Sequence, residues 1–190
     1  QNCLAAISIC LEMAIDPAVI LSGLRQFKGV GRRFDFKGET DGITIIDDYG
    51  HHPVEIRAAL SAGRMRAEQN KLIAVVQPHR YTRLRDLFSD FCACFNDADH
   101  VIVSDVYAAG EAPIEGFERD DLVEGLRAWG HRSVHAMQDP SHLAAQINDL
   151  ATSGDLVMCL GAGTVTQWAS SLPQELALLR SASPDKEAGE

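Results

Sequence analysis

Two stretches of this 190-residue chain are apolar at every position: Leu72-Ile73-Ala74-Val75-Val76 and Leu156-Val157-Met158-Cys159-Leu160. A strand with one solvated face alternates polar and apolar side chains, so an uninterrupted apolar run of this length reads as a strand covered on both faces. It calls for helices above and below a sheet. The remaining chain supplies them. Strand-like runs occur at residues 33–37, 43–46, 71–76, 100–103, 133–136 and 155–160, and helical patterns fall between several of them at 53–65, 81–96, 120–129, 141–150 and 165–171. Strand, helix, strand in this rhythm predicts an α/β fold with a doubly wound, mostly parallel sheet.

Ahead of that rhythm, residues 2–14 repeat apolar positions at helical spacing (Leu4, Ile7, Leu11). Pro17 suits the first turn of a second helix over 17–27, with Asp16 placed to cap it. Gly29-Val30-Gly31 breaks the pattern. We therefore expect a boundary near Arg32, with two helices and a hinge in 1–32, the sheet domain in 33–180, and a short flexible tail over 181–190. The chain opens in mid-pattern, as a piece of something longer would.

A formal charge of -10 and a pI near 5.1 argue against broad attraction to nucleic acid or to an anionic membrane surface. No apolar stretch has the length of a membrane span. The five cysteines form no CxxC pair and no disulfide or zinc-finger spacing, which predicts small buried thiols in a reducing, cytoplasmic setting.

In a doubly wound sheet, ligands bind outside the carboxyl ends of the strands. Three predicted strands end in unusual chemistry: Asp47-Asp48-Tyr49-Gly50-His51-His52-Pro53, Gln77-Pro78-His79-Arg80-Tyr81-Thr82-Arg83 and Gly161-Ala162-Gly163-Thr164. They should converge on one crevice. Arg80 and Arg83, three apart at the mouth of a predicted helix, suit a carboxylate or phosphate clamp, whereas Arg85 reads as a partner of surface acids such as Asp86. The Gly161-Ala162-Gly163 run lacks the third glycine of a dinucleotide fingerprint, since position 166 is Thr. It fits a tight turn as well as a binding loop.

The Asp47 to Pro53 segment admits several readings. Its carboxylates and imidazoles are metal-ligand types, but adjacent His51 and His52 reach one ion with difficulty and no further ligand set has the right spacing, so no metal site is assigned. An acid at a strand end instead suits ribose hydroxyls, or serves as a turn or cap residue.

With these motifs in place, the chain resembles the Mur ligase family. The resemblance runs through Asn2-x-Leu4-Ala5-Ala6, Gly29-Val30-Gly31-Arg32-Arg33-Phe34, the Asp47 to Pro53 and Gln77 to Arg83 segments, Tyr107-Ala108-Ala109-Gly110-Glu111-Ala112-Pro113 and Gly161-Ala162-Gly163. It implies that residues 1–32 are the last two helices of a central ATPase domain and that the rest is a C-terminal Rossmann-like domain. The phosphate-cradling G-x-x-x-x-G-K-[ST] loop does not occur in this sequence, so the resemblance implies a fragment inactive without its N-terminal and central domains.

The implied chemistry is ligation. ATP, with magnesium held mainly by the missing central domain, phosphorylates the carboxylate of UDP-N-acetylmuramate; the amine of L-alanine attacks the acyl phosphate in a step of peptidoglycan synthesis. By the same resemblance Asn2, Arg33 and Asp48 bind ATP, at adenine, phosphates and ribose respectively. Tyr49, His51, His79, Arg80 and Arg83 form the L-alanine pocket, and Arg33 and His51 are the catalytic candidates. A paired-arginine clamp suits an amino acid's carboxylate. The competing expectations are a recycling ligase with a tripeptide acceptor, and a free-standing nucleotide- or metal-binding module.

Overall fold

The computed structural model describes residues 2–27 and 29–182, without the side chain of Asn2. It divides into two compact units, Gln1–Val30 and Gly31–Glu190. The smaller unit holds α1 (Asn2–Glu12) and α2 (Pro17–Gln26). Asp16 caps α2 by accepting from the Ala18 N–H at 2.7 Å, with Pro17 in the first turn where its missing N–H costs nothing. Leu4, Ile9, Leu11, Met13, Val19 and Leu21 are all exposed in this unit.

In the larger unit a six-stranded sheet has the order β1-β2-β6-β3-β4-β5, with β1 (Asp35–Thr40), β2 (Ile43–Asp48), β3 (Leu72–Val76), β4 (His100–Val103), β5 (Val134–Ala136) and β6 (Leu156–Leu160). The two wholly apolar runs, β3 and β6, lie side by side at its centre and are buried at every position. Five strands run parallel; β1 alone pairs antiparallel, with β2. That hairpin turns at Asp41 and Gly42, whose φ of 49° and 77° are those of a tight primed turn. The first strand is expected at 33–37 and forms later because Arg32 and Phe34 adopt positive φ (61° and 50°), which no strand continues through.

Helices cover both faces. One carries α3 (Pro53–Ala67), α4 (Tyr81–Asp86), α5 (Phe88–Cys92) and α6 (Arg119–Ala128), whose Ile56, Leu60, Leu84, Phe91, Leu122 and Leu126 meet Ile46, Ala74, Val76, Val101 and Leu160 of the sheet. The other carries α7 (Leu143–Leu150) and α8 (Val165–Ser181), packed on Ile43, Ile45, Ile73, Val75 and Val157. Each fully buried aliphatic or aromatic side chain contributes roughly 1.5–3 kcal/mol.

The helix expected over 81–96 is two. Leu87 leaves the helical region at φ -120°, ψ 21°, yet its N–H still bonds to Arg83, so the apolar face of Leu84 and Phe91 is kept. The helix expected at 165–171 instead runs to Ser181 through Pro173. The ring of Pro173 packs where a Cβ on Gly38 would stand, 2.8 Å away, and its carbonyl accepts the Thr40 hydroxyl at 2.7 Å. Cys92, Cys94 and Cys159 are buried, as expected of structural thiols, and burial pushes the Cys94 thiol up to about 12. Cys3 is exposed and Cys10 half-buried. Most of the tail, 183–190, lies outside the described residues. Among the described residues no helix is long and apolar enough to cross a membrane.

Candidate functional site

The carboxyl ends of β2, β3 and β6 do converge. Gln77, the buried residue after β3, donates through its amide nitrogen to the Thr164 hydroxyl at 2.9 Å and accepts from the Val165 N–H at 3.1 Å. The loop after β6 is thereby tied to β3. Its glycines serve this approach: a Cβ on Gly161 would stand 2.8 Å from the Gln77 carbonyl, and one on Gly163 would meet the Tyr107 ring at 2.6 Å. Packing against Gln77 and Tyr107 therefore accounts for both glycines.

After β2, consecutive acids divide. Asp48 accepts from the Phe34 N–H and the Gly50 N–H, both at 2.8 Å, so it shapes the turn while each oxygen keeps a second lone pair. Asp47, read from the sequence as a ligand or turn residue, is fully buried inside the strand. It accepts the Thr166 hydroxyl at 2.6 Å and lies 3.7 Å from both Arg32 and Lys37. Arg32 also donates to the Gly161 carbonyl at 2.7 Å, and its guanidinium sits 4.7 Å over the Tyr49 ring. His52 caps α3, accepting from Val54 N–H, while Glu55 accepts from the backbone N–H groups of His51 and His52. Burial acts to raise the Glu55 carboxyl, but those two N–H groups outweigh it and hold it below its usual range.

Asp47, Asp48 and His52 are turned to other partners, and among the described residues no three His, Cys, Asp or Glu side chains are grouped to hold an ion.

What remains open is an aromatic and cationic cluster. The Tyr49 and His51 rings meet edge-on at 5.2 Å, His51 and His79 lie 5.7 Å apart, and His79 stacks on Tyr107 at 5.3 Å and 19°. His51 Nδ1 faces the Tyr49 carbonyl at 3.0 Å, an acceptor only, so Nδ1 carries the proton and Nε2 of the neutral ring keeps its lone pair. His79 has the opposite tautomer: Arg83, a donor only, donates to its Nδ1 at 3.1 Å and to its carbonyl at 2.8 Å. Burial, then the positive charge of Arg83, pushes the His79 imidazole below its ordinary value.

Arg80 is half-exposed and pairs with Glu111 at 3.3 Å. The Thr82 N–H and hydroxyl also donate to Glu111, at 3.0 and 2.7 Å, and hold its carboxyl below the usual range. Arg80 adopts φ 73°, unusual for a non-glycine residue and costing on the order of 1–3 kcal/mol. Its N–H donates to the Tyr107 carbonyl at 2.8 Å, which fixes that backbone.

Tyr49, His51, His79, Arg80 and Arg83 are thus assembled around one strand-end crevice. Arg33 is exposed, in the 32–34 segment that crosses the Asp48–Tyr49 end through the Tyr49 N–H to Arg32 carbonyl bond (2.7 Å). The side chain of Asn2 lies outside the described residues. Sequence reasoning assigned nothing to Arg32, Tyr107 or Glu111. Tyr107 and Glu111 follow β4, a fourth strand end that the same carboxyl-end rule covers.

The larger unit is a doubly wound α/β domain that presents arginines and imidazoles at the carboxyl ends of its strands, where sheets of this kind bind ligands. Residues 32–163 match the family model described as Mur ligase, glutamate ligase domain, and the chain belongs to that family. It is 62% identical over 178 residues to a UDP-N-acetylmuramate--L-alanine ligase of Gluconobacter oxydans, covering 94% of this chain and 37% of that protein. A protein of the same description from Methylobacterium radiotolerans is 60% identical over 92% of this chain and 37% of its own length. The chain spans little more than a third of these relatives. Among solved structures, the UDP-N-acetylmuramate-alanine ligase of Thermotoga maritima shares the fold at TM-score 0.76 and 24% identity over 96% of this chain and 37% of its own. A MurF ligase from the same organism, in complex with ADP, shares it at TM-score 0.65 and 18% identity over 93% of this chain and 38% of its own.

Proposed function

We propose that this chain is the C-terminal portion of an ATP-dependent ligase that joins L-alanine to the carboxylate of UDP-N-acetylmuramate in peptidoglycan synthesis. The observation that carries the reading is identity near 60% over more than nine-tenths of the chain to ligases of that description. The domain division 1–32, 33–180 and 181–190 goes with it. Two helices that leave Leu4, Ile9, Leu11, Val19 and Leu21 exposed fit the margin of a larger ATPase domain better than a module of their own.

In this reading the γ-phosphoryl of ATP passes to the muramate carboxylate; the L-alanine amine attacks the acyl carbon, and inorganic phosphate leaves. Charge builds first on the phosphoryl group and then on a tetrahedral centre, so positioning and cationic stabilisation dominate. Arg80 and Arg83 hold the L-alanine carboxylate, with Tyr49 and His79 lining the pocket. His51 Nε2, whose lone pair the Tyr49 carbonyl leaves free, takes a proton from the incoming ammonium. Asp48 offers its remaining lone pairs to the ribose, Arg33 reaches the ATP phosphates, and Asn2 lies toward adenine. The ADP held by the MurF ligase of like fold supports nucleotide use. Magnesium has no three-donor holder among the described residues of this chain.

Phosphate release by the full-length enzyme containing this chain, with ATP and UDP-N-acetylmuramate, tests the reading. Release that depends on L-alanine is expected. Release with a tripeptide acceptor and none with L-alanine would replace it with the recycling reaction.

A further inference from the structure

We propose that Tyr107 is the wall that confines the acceptor pocket to a small side chain, and that a larger amino acid enters only when this wall is removed. The proposal deepens the ligase reading and rests on it.

Tyr107 is the residue shared by two spaces. Its ring stacks on His79, which neighbours His51 and bonds to Arg83. Tyr107 also lines a cavity of ≈ 190 Å³ together with Ser104, Val106, Met137, Gln138 and Trp168, a lining that does not include His79. At about 30 Å³ per water that is room for several waters or one aliphatic side chain. Two main-chain bonds hold Tyr107 in place: its N–H donates to the Pro78 carbonyl and its carbonyl accepts from the Arg80 N–H, both at 2.8 Å. The anchor is the same segment that carries His79, Arg80 and Arg83, so wall and clamp move together. Gly163 backs the ring so closely that a Cβ there would stand 2.6 Å from it. The ring therefore cannot swing toward the β6 loop.

The physical need for such a wall is plain. An apolar pocket that merely welcomes a methyl group discriminates against one more methylene by only roughly 10–200-fold, whereas a rigid surface rejects the larger side chain outright.

The test uses full-length ligase containing this chain, assayed for phosphate release with L-alanine, L-valine and L-leucine. Tyr107→Ala is expected to lower the L-alanine to L-leucine ratio of kcat/KM by about 100-fold, through a fall in KM for L-leucine at unchanged KM for ATP. Tyr107→Phe, which keeps the wall, is expected to keep the discrimination, and Trp168→Ala, which enlarges the cavity behind an intact wall, is expected to leave it in place. Should Tyr107→Ala fail to fold, Tyr107→Leu takes its place with the same expected direction. A folded wall variant whose ratio stays within about threefold of wild type, or that loses all activity while melting like wild type, overturns the wall and leaves the ligase reading standing. A wild-type enzyme with no L-alanine-dependent release overturns both.

Discussion

Histidines gather at both ends of this sheet, and the two gatherings differ in what they leave unspent. At the amino ends of β4 and β5, His100 Nδ1 and His135 Nε2 share the Ser133 hydroxyl at 2.6 and 2.9 Å, while His131 contacts the Ala98 carbonyl and accepts from the Ser133 N–H. One ring nitrogen each of His100 and His135, and both of His131, are engaged there by neighbouring protein groups. At the carboxyl ends, His51 Nε2 and the remaining guanidinium nitrogens of Arg83 have no protein partner among the described residues. Both clusters pack rings at similar separations, 5.8 Å for His100 and His135 against 5.7 Å for His51 and His79. Proximity alone therefore does not mark a site. The difference lies in the open guanidinium nitrogens of Arg83, which bonds to His79 beside His51.

The largest effect that tests this contrast is on turnover. In the full-length ligase, His51→Ala should lower kcat by about 100-fold or more, the contribution expected of a positioned base, with the melting temperature within a few degrees of wild type. Next comes the turn that aims the cluster: Asp48→Ala removes the acceptor of two backbone N–H groups and should lower the chain's stability in urea by about 2 kcal/mol. Ser133→Ala, at the opposite end, should cost about 1 kcal/mol of stability and leave kinetics unchanged. A kinetic defect in Ser133→Ala equal to that of His51→Ala would erase the contrast.

The smallest effect is on pH dependence. Burial, reinforced by Lys71 at His100 and by His100 at His135, depresses both imidazoles below 6.5. The unfolded chain then binds more protons than the fold once the pH drops below about 6.5. Their contribution to stability is complete above that value and is lost as the pH falls through the folded pKa. His135→Gln should flatten the decline of stability measured between pH 7 and pH 5.

Much of the fold was legible because apolar runs report burial directly: β3 and β6 proclaim themselves as central strands, and Pro17 and Pro53 announce helix starts. The β1–β2 hairpin was carried by a signal equally local, Asp41-Gly42 between two strand patterns, but reads as an ordinary connection when a parallel rhythm is expected. The break at Leu87 has no proline or glycine to mark it. At the site, residue types placed the right segments together, yet not the facing of neighbours. Asp47 and Asp48 point to opposite sides of β2 because a strand alternates, and Arg32 turns inward on a backbone of positive φ that no composition reveals. Tyr107 and Glu111 lie beyond the end of β4, Tyr107 after three irregular residues and Glu111 after a further turn at Ala109 and Gly110, so no strand pattern points to them.

The central claim is that the carboxyl-end cluster is the L-alanine pocket. Its most direct test is a side-by-side measurement of KM for L-alanine and for ATP in full-length ligase carrying Arg80→Ala. Loss of one charge-assisted contact to the substrate carboxylate should raise the L-alanine KM by about 10- to 100-fold while the ATP KM moves less than about threefold. Equal losses for the two substrates, or an unchanged L-alanine KM, would contradict it.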